Sequence, residues 1–169
     1  MTVLSTQRLE LRQLDAGDAP FMLELLNDPS FIANIGDRGV RTVEDAARYI
    51  QDRMIPSYAQ HGYGLYVVEL RSTGAAVGIC GLVRRDYLDD PDIGFAFLPR
   101  FLGQGYALES ATSVSALAFE VLRLPRLLAI TSAHNTRSMH LLEKIGLRFE
   151  RMTIPPGEAR EIRLYTSDR

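Results

Sequence analysis

RFLGQGYALES, Arg100 to Ser110, sets two glycines around a glutamine and then opens a long apolar-periodic run. The residues before it, DIGFAFLP, read as a strand that ends at Leu98-Pro99. Glycines at 103 and 105 let the backbone turn tightly with no Cβ in the way. Beyond the turn, Leu108, Ala111, Val114, Leu117, Ala118, Val121 and Leu122 recur at the spacing of a helix with one buried face. A strand, a glycine turn and a helix start together leave unpaired N–H groups beside the positive end of the helix dipole. That is an anion site, and phosphate is the usual anion. Small residues at Gly105 and Ala107 allow a ligand to press close to the main chain.

Three phosphate-loop readings meet at this stretch. A P-loop requires Gly-Lys-Ser/Thr at the helix start, and no lysine follows either glycine. A dinucleotide fingerprint requires a third glycine where this chain has Leu108, and it follows the first strand of its unit. Here the loop follows four candidate strands. The third reading draws on the rest of the chain.

Outward from the loop, the periodicity alternates between two and 3.6. Arg8 to Leu14 (RLELRQL) alternates as a half-buried strand, and a helix with Phe21, Leu25 and Leu26 on one face is expected to end at Pro29. A second helical region follows Thr42, a cap residue, with Glu44 and Asp45 at its positive end and Pro56 as a kink or break. GYGLYVVELR and AVGICGLVRR, joined by STGA, read as a hairpin, and DIGFAFLP as the next strand. After the long helix come a buried strand, RLLAITSA, and a helix, NTRSMHLLEKIG, with Leu141, Leu142 and Ile145 inward and Gly146 at its end. LRFERMTI and EIRLYTSD close the chain as strands. The order β-α-α-β-β-β-α-β-α-β-β predicts one α/β domain over residues 1–169, a mixed, mostly antiparallel sheet of about six or seven strands with helices on both faces.

Composition narrows the function. A formal net charge of −2 argues against phosphate-driven nucleic-acid binding. The single cysteine, Cys80, forbids an intrachain disulfide and reads as a small buried residue. No apolar run matches a signal peptide or a membrane span, so a cytoplasmic protein without a membrane partner is expected. His61, His134 and His140 lack metal-ligand spacing, and no metal is expected. The run RRDYLDDPD is a polar turn, or an acidic lip of Asp89, Asp90 and Asp92 that would attract a cationic amine.

Arg100-x-x-Gly103-x-Gly105-x-Ala107 resembles the R/Q-x-x-G-x-G/A pyrophosphate loop of the GNAT acetyltransferases. DIGFAFLP resembles the splayed strand before that loop, and Asn135-Thr-Arg-Ser138 with LLEKIGLRF resembles the family's N-x-x-S…L-x-E-K-x-G-F segment. STQRLELRQL is similar to the opening of the branch that acetylates ribosomal-protein N-terminal alanines. The resemblance spans nearly the whole chain. It implies a GNAT fold and an N-acetyltransferase that moves an acetyl group from acetyl-CoA to a primary amine, on a protein N-terminus or a small molecule, by direct attack. The alternative is a non-catalytic acyl-CoA-binding sensor or scaffold. A monomer or homodimer is expected.

The resemblance also implies roles. Pantetheine would lie between DIGFAFLP and RLLAITSA, with backbone groups near Phe97 and Leu98 on its amides. The N–H groups of Gly103, Gln104, Gly105, Tyr106 and Ala107 would take the pyrophosphate, aided by Arg100 or Arg137, since Leu102 stands where relatives carry a basic residue. Asn135 would contact pantetheine. Many relatives place a tyrosine where this chain has Leu142; here Ser138 would serve the leaving thiol. Asp92 is the leading base candidate, with Glu109, Glu158, Glu161 or a water chain as others.

Overall fold

The computed structural model describes residues 1–168. Eight strands form one sheet, in the order β1-β2-β3-β4-β5-β6-β8-β7. They are β1 (Thr2–Ser5), β2 (Leu9–Arg12), β3 (Leu65–Leu70), β4 (Ala76–Val83), β5 (Asp92–Phe97), β6 (Arg126–Ser132), β7 (Arg148–Thr153) and β8 (Ile162–Asp168). The helices are α1 (Ala19–Leu26), α2 (Pro29–Asn34), α3 (Val43–Tyr49), α4 (Ile55–His61), α5 (Tyr106–Ala116) and α6 (Thr136–Lys144). The sheet has one strand more than the expected six or seven. The addition is β1, a half-exposed edge of four residues that pairs antiparallel with β2.

Alternation along the strands builds a core on each face. Leu9, Leu11, Tyr66, Val68, Cys80 and Leu82 pack with Ala111, Val114 and Ala118 of the α5 region and with Leu141 and Leu142 of α6. On the opposite face Val67 and Ile79 pack with Met22, Leu25 and Leu26 of α1 and with Ala46 and Ile50. Between them these positions bury long apolar side chains on both faces, the main source of stability.

Helix boundaries depart from the periodic reading for identifiable reasons. Pro29 begins α2 instead of ending α1, because Asp28 caps the new helix and a proline at its first turn loses no hydrogen bond. Pro56 does not break the helical path. A π turn at Ile50–Met54 absorbs its missing N–H, and the helical path continues into α4. A second π turn, Leu117–Val121, widens the end of α5, and Leu122 N–H reaches back to Leu117 C=O at 2.9 Å. That slip swings Val121 out to solvent, and Leu108 in the first turn is also exposed, so neither joins the predicted buried face.

The sheet is antiparallel except between β5 and β6, which run parallel. Their pairing is confined to Asp92 opposite Leu128, with Leu128 N–H on Pro91 C=O at 3.0 Å. Beyond that point the two strands part.

Candidate active site

The parting of β5 and β6 opens a cleft of about 930 Å³. Phe95 and Ala96 of β5, Ile130 and Ser132 of β6, and Asn135, Ser138 and Leu142 of the α6 region line it. Leu98 N–H is bonded to Val77 C=O at 3.0 Å, and Leu98 C=O accepts from Phe101 N–H at 3.0 Å. Leu98 therefore has its N–H and one carbonyl lone pair committed. By strand alternation the backbone groups of Phe95 and Phe97 face the open side.

The glycine loop forms a second, smaller pocket of about 320 Å³. Gly103 and Gly105 both have positive φ, at 77° and 82°, where a side chain would be strained. Gly105 is the N-cap of α5, and no side chain caps that helix. The first backbone bond of the helix runs from Glu109 N–H to Gly105 C=O at 3.0 Å. The N–H groups from Gly103 to Leu108 are thus left without a backbone acceptor, Gln104, Tyr106 and Ala107 among them. The pocket is lined by the loop, by Phe97, and by Arg137, His140 and Lys144 of α6.

Arg137 joins the loop as one of the two expected alternatives. Arg100 does not: it forms an ion pair with Glu24 of α1 and is absent from the pocket wall. His140 and Lys144 also line it, beyond the residues the loop motif marks. Their signal was the spacing 137-140-144 on one helix, which places all three on one stripe.

Asp92 stands at the apex of the parting, only 1% exposed, with its Oδ1 accepting from Arg85 Nε at 2.9 Å. Burial pushes its carboxyl up from 3.8 to about 6, and Arg85 pulls the other way. Because the folded value lies above the unfolded one, the folded chain holds the extra proton between them. That stability is fully present below about 3.8 and is lost as the pH rises through about 6. Wild type measured against Asp92→Asn is therefore expected to lose on the order of 3 kcal/mol between pH 4 and 7. Denaturant unfolding at several pH values checks this, and a pH-independent difference would refute it.

Ser138 N–H donates to Asn135 Oδ1 at 3.2 Å, so Asn135 caps α6 and the Ser138 hydroxyl is not used for capping. Glu158 reaches the cleft, and Glu161 is not on its wall. Glu109 is engaged with Thr6 and Arg8, away from the cleft. No acidic lip forms: Asp89 and Asp90 do not line the cleft, and Asp92 is paired with Arg85. Cys80 is fully buried, and burial pushes its thiol up to about 12, which makes it inert as a nucleophile. Among the described residues no cluster of His, Cys, Asp or Glu could hold a metal ion, and no helix is long and apolar enough to cross a membrane.

Residues 8–148 match the family model described as an acetyltransferase (GNAT) domain. The chain is 27% identical over 159 residues to an uncharacterized N-acetyltransferase of Bacillus subtilis, YnaD, covering 91% of this chain and 89% of that protein. A GNAT-family acetyltransferase from Bacillus anthracis superposes with a TM-score of 0.80 at 26% identity, over 99% of this chain and 98% of that one. The ribosomal L7/L12 alpha-N-protein acetyltransferase RimL, solved in complex with coenzyme A, shares the fold at a TM-score of 0.85 and 17% identity, over 99% and 98% of the two chains.

Proposed function

The chain belongs to the GNAT acetyltransferase family, and from that premise we propose that it is an acetyl-CoA-dependent N-acetyltransferase acting on a primary amine. The acceptor is a protein N-terminus or a small-molecule amine. The observation that carries the reading is the uncapped, glycine-turned start of α5 beside a sheet that opens at one register pair.

The residues present fit the donor. The N–H groups of Gly103 to Ala107 suit a pyrophosphate, and Arg137 and Lys144 add positive charge across the pocket. The free backbone edge at Phe95 and Phe97 suits the pantetheine amides, and Asn135 lines the same cleft from the α6 side. When bound, acetyl-CoA supplies the thioester whose acyl carbon the amine takes directly. The side chains then manage protons. Asp92, poised near neutrality, takes the amine proton, directly or through water. The Ser138 hydroxyl donates toward the departing sulfur. Two candidate proton-handling groups lining one cleft favour a catalyst over a non-catalytic acyl-CoA sensor, and turnover on a panel of amines separates the two.

Calorimetric titration with acetyl-CoA, with ATP and NAD as controls, tests the binding half. Selective binding is expected. Gly105→Val forces a β-branched residue into the left-handed region at about 1–2 kcal/mol or more, enough to weaken acetyl-CoA roughly tenfold. Unselective binding, or unchanged affinity in the variant, would refute the loop's assignment.

A further inference from the structure

The turn between β1 and β2 reaches across to the start of α5. Arg8 Nε pairs with Glu109 Oε1 at 2.8 Å, and Arg8 Nη1 donates to Gln104 C=O at 2.9 Å. Glu109 Oε2 accepts from Thr6 Oγ1 at 2.5 Å and from Arg8 N–H at 3.0 Å. The guanidinium also lies 4.6 Å from the centroid of the Tyr106 ring. Burial would raise the Glu109 carboxyl, but the Thr6 and Arg8 hydrogen bonds outweigh it and hold it below the usual range. None of Thr6, Arg8 and Glu109 lines the 320 Å³ pocket. The cluster stands behind the loop.

The carbonyl it grips matters because of peptide geometry. Gln104 C=O and Gly105 N–H belong to one planar trans peptide and point in opposite directions. A guanidinium that fixes the oxygen on the rear side therefore fixes the N–H on the ligand side. Arg8 also lies close against Gly105: a Cβ there would come within 3.2 Å of Arg8 Nη2.

We propose that Arg8, anchored by Glu109 and Thr6, is a positioning residue that aims the loop's N–H groups at the pyrophosphate of the donor without touching it. The proposal rests on the acetyl-CoA reading above. It assigns the N-terminal T-x-R segment a role in donor binding, through a pair that adds no net charge to the pocket.

The test compares two donors that differ in the group recognised: acetyl-CoA, and S-acetylpantetheine, which carries no pyrophosphate. Arg8 is 44% exposed, so Arg8→Ala is expected to fold, which thermal unfolding checks. Loss of a charge-assisted bond and its orientation is expected to raise Kd and KM for acetyl-CoA about 10- to 100-fold. The kcat at saturation and the KM for the amine are expected to stay within about twofold, and kcat/KM with S-acetylpantetheine to be unchanged. Arg8→Lys should resemble Arg8→Ala, because one ammonium cannot span both Glu109 and the Gln104 carbonyl. Glu109→Gln should show the same pattern more weakly, and provides the readout if Arg8→Ala does not fold. Equal losses with both donors, unaltered acetyl-CoA affinity, or full rescue by lysine would each overturn the brace. Wild-type chain that binds no acetyl-CoA would overturn the donor reading, and the brace with it.

Discussion

Replacing Ser138 by alanine is expected to lower kcat by about 10²-fold or more while leaving the Kd for acetyl-CoA and the thermal midpoint nearly unchanged. The structure separates this residue's two possible duties. A serine near a helix start ordinarily caps it, but Asn135 Oδ1 already takes the Ser138 N–H. The hydroxyl is left to the cleft, beside Asn135 and Leu142. Leu142 is 1% exposed and carries no proton, so no neighbour at the tyrosine position can substitute. Steady-state kinetics at saturating donor and amine, set beside calorimetric Kd values, read the split. A kcat within a few-fold of wild type would remove Ser138 from proton transfer. A parallel loss of affinity would make it a binding residue instead.

The largest structural effect is expected at Gly81. A Cβ there would lie 2.1 Å from Gly64 C=O and 2.8 Å from Leu65 Cα, both backbone atoms that cannot step aside. The same carbonyl accepts Leu82 N–H at 3.0 Å, so relieving the clash breaks the β3–β4 ladder. Gly81→Ala is expected to cost more than about 4 kcal/mol, or roughly 10 °C or more in Tm for a chain of this size. Gly94, its register partner on β5, is the control. Its nearest neighbours to a Cβ are side-chain methyls at 3.5 and 3.7 Å, ordinary contacts, and Gly94→Ala should be close to neutral. Equal tolerance at the two positions, measured by scanning calorimetry, would refute the close approach of β3 and β4.

Much of this was legible in the chain. The spacing Thr6-x-Arg8-Leu9-x-Leu11-Arg12 marks the N-terminal strand, and each member has a physical task. Leu9 and Leu11 are fully buried, and Arg12 forks onto Asp18 at 2.7 and 3.0 Å. Thr6 and Arg8 hold Glu109. The glycine loop, the hairpin and the cap at Thr42, which forms a capping box with Asp45, also follow from local chemistry.

What escaped depends on partners distant in sequence. β1 is too short and too exposed to carry a period-two signal, and exists because β2 offers it an edge. A strict 3.6 repeat places Val121 inward, and the π turn at Leu117–Val121 breaks that repeat. Arg100 belongs by pattern to the loop, yet Glu24, 76 residues earlier, claims it. Lys144 and His140 reach the pocket at the glycine loop only because α6 packs beside α5, a tertiary fact that no local rule states.

The single register pair between β5 and β6 makes the sheet two plates, five strands and three, stitched at one end. Past the stitch each plate presents a bare border inside the molecule, of the kind that outer strands must guard against foreign chains. Here the guard is geometric: the borders diverge, so no straight strand can zip both, and whatever enters must be narrow and able to hydrogen-bond on two sides. An occupant of that wedge would act as a seam, joining halves that the chain leaves connected by one stitch and the helices laid across them.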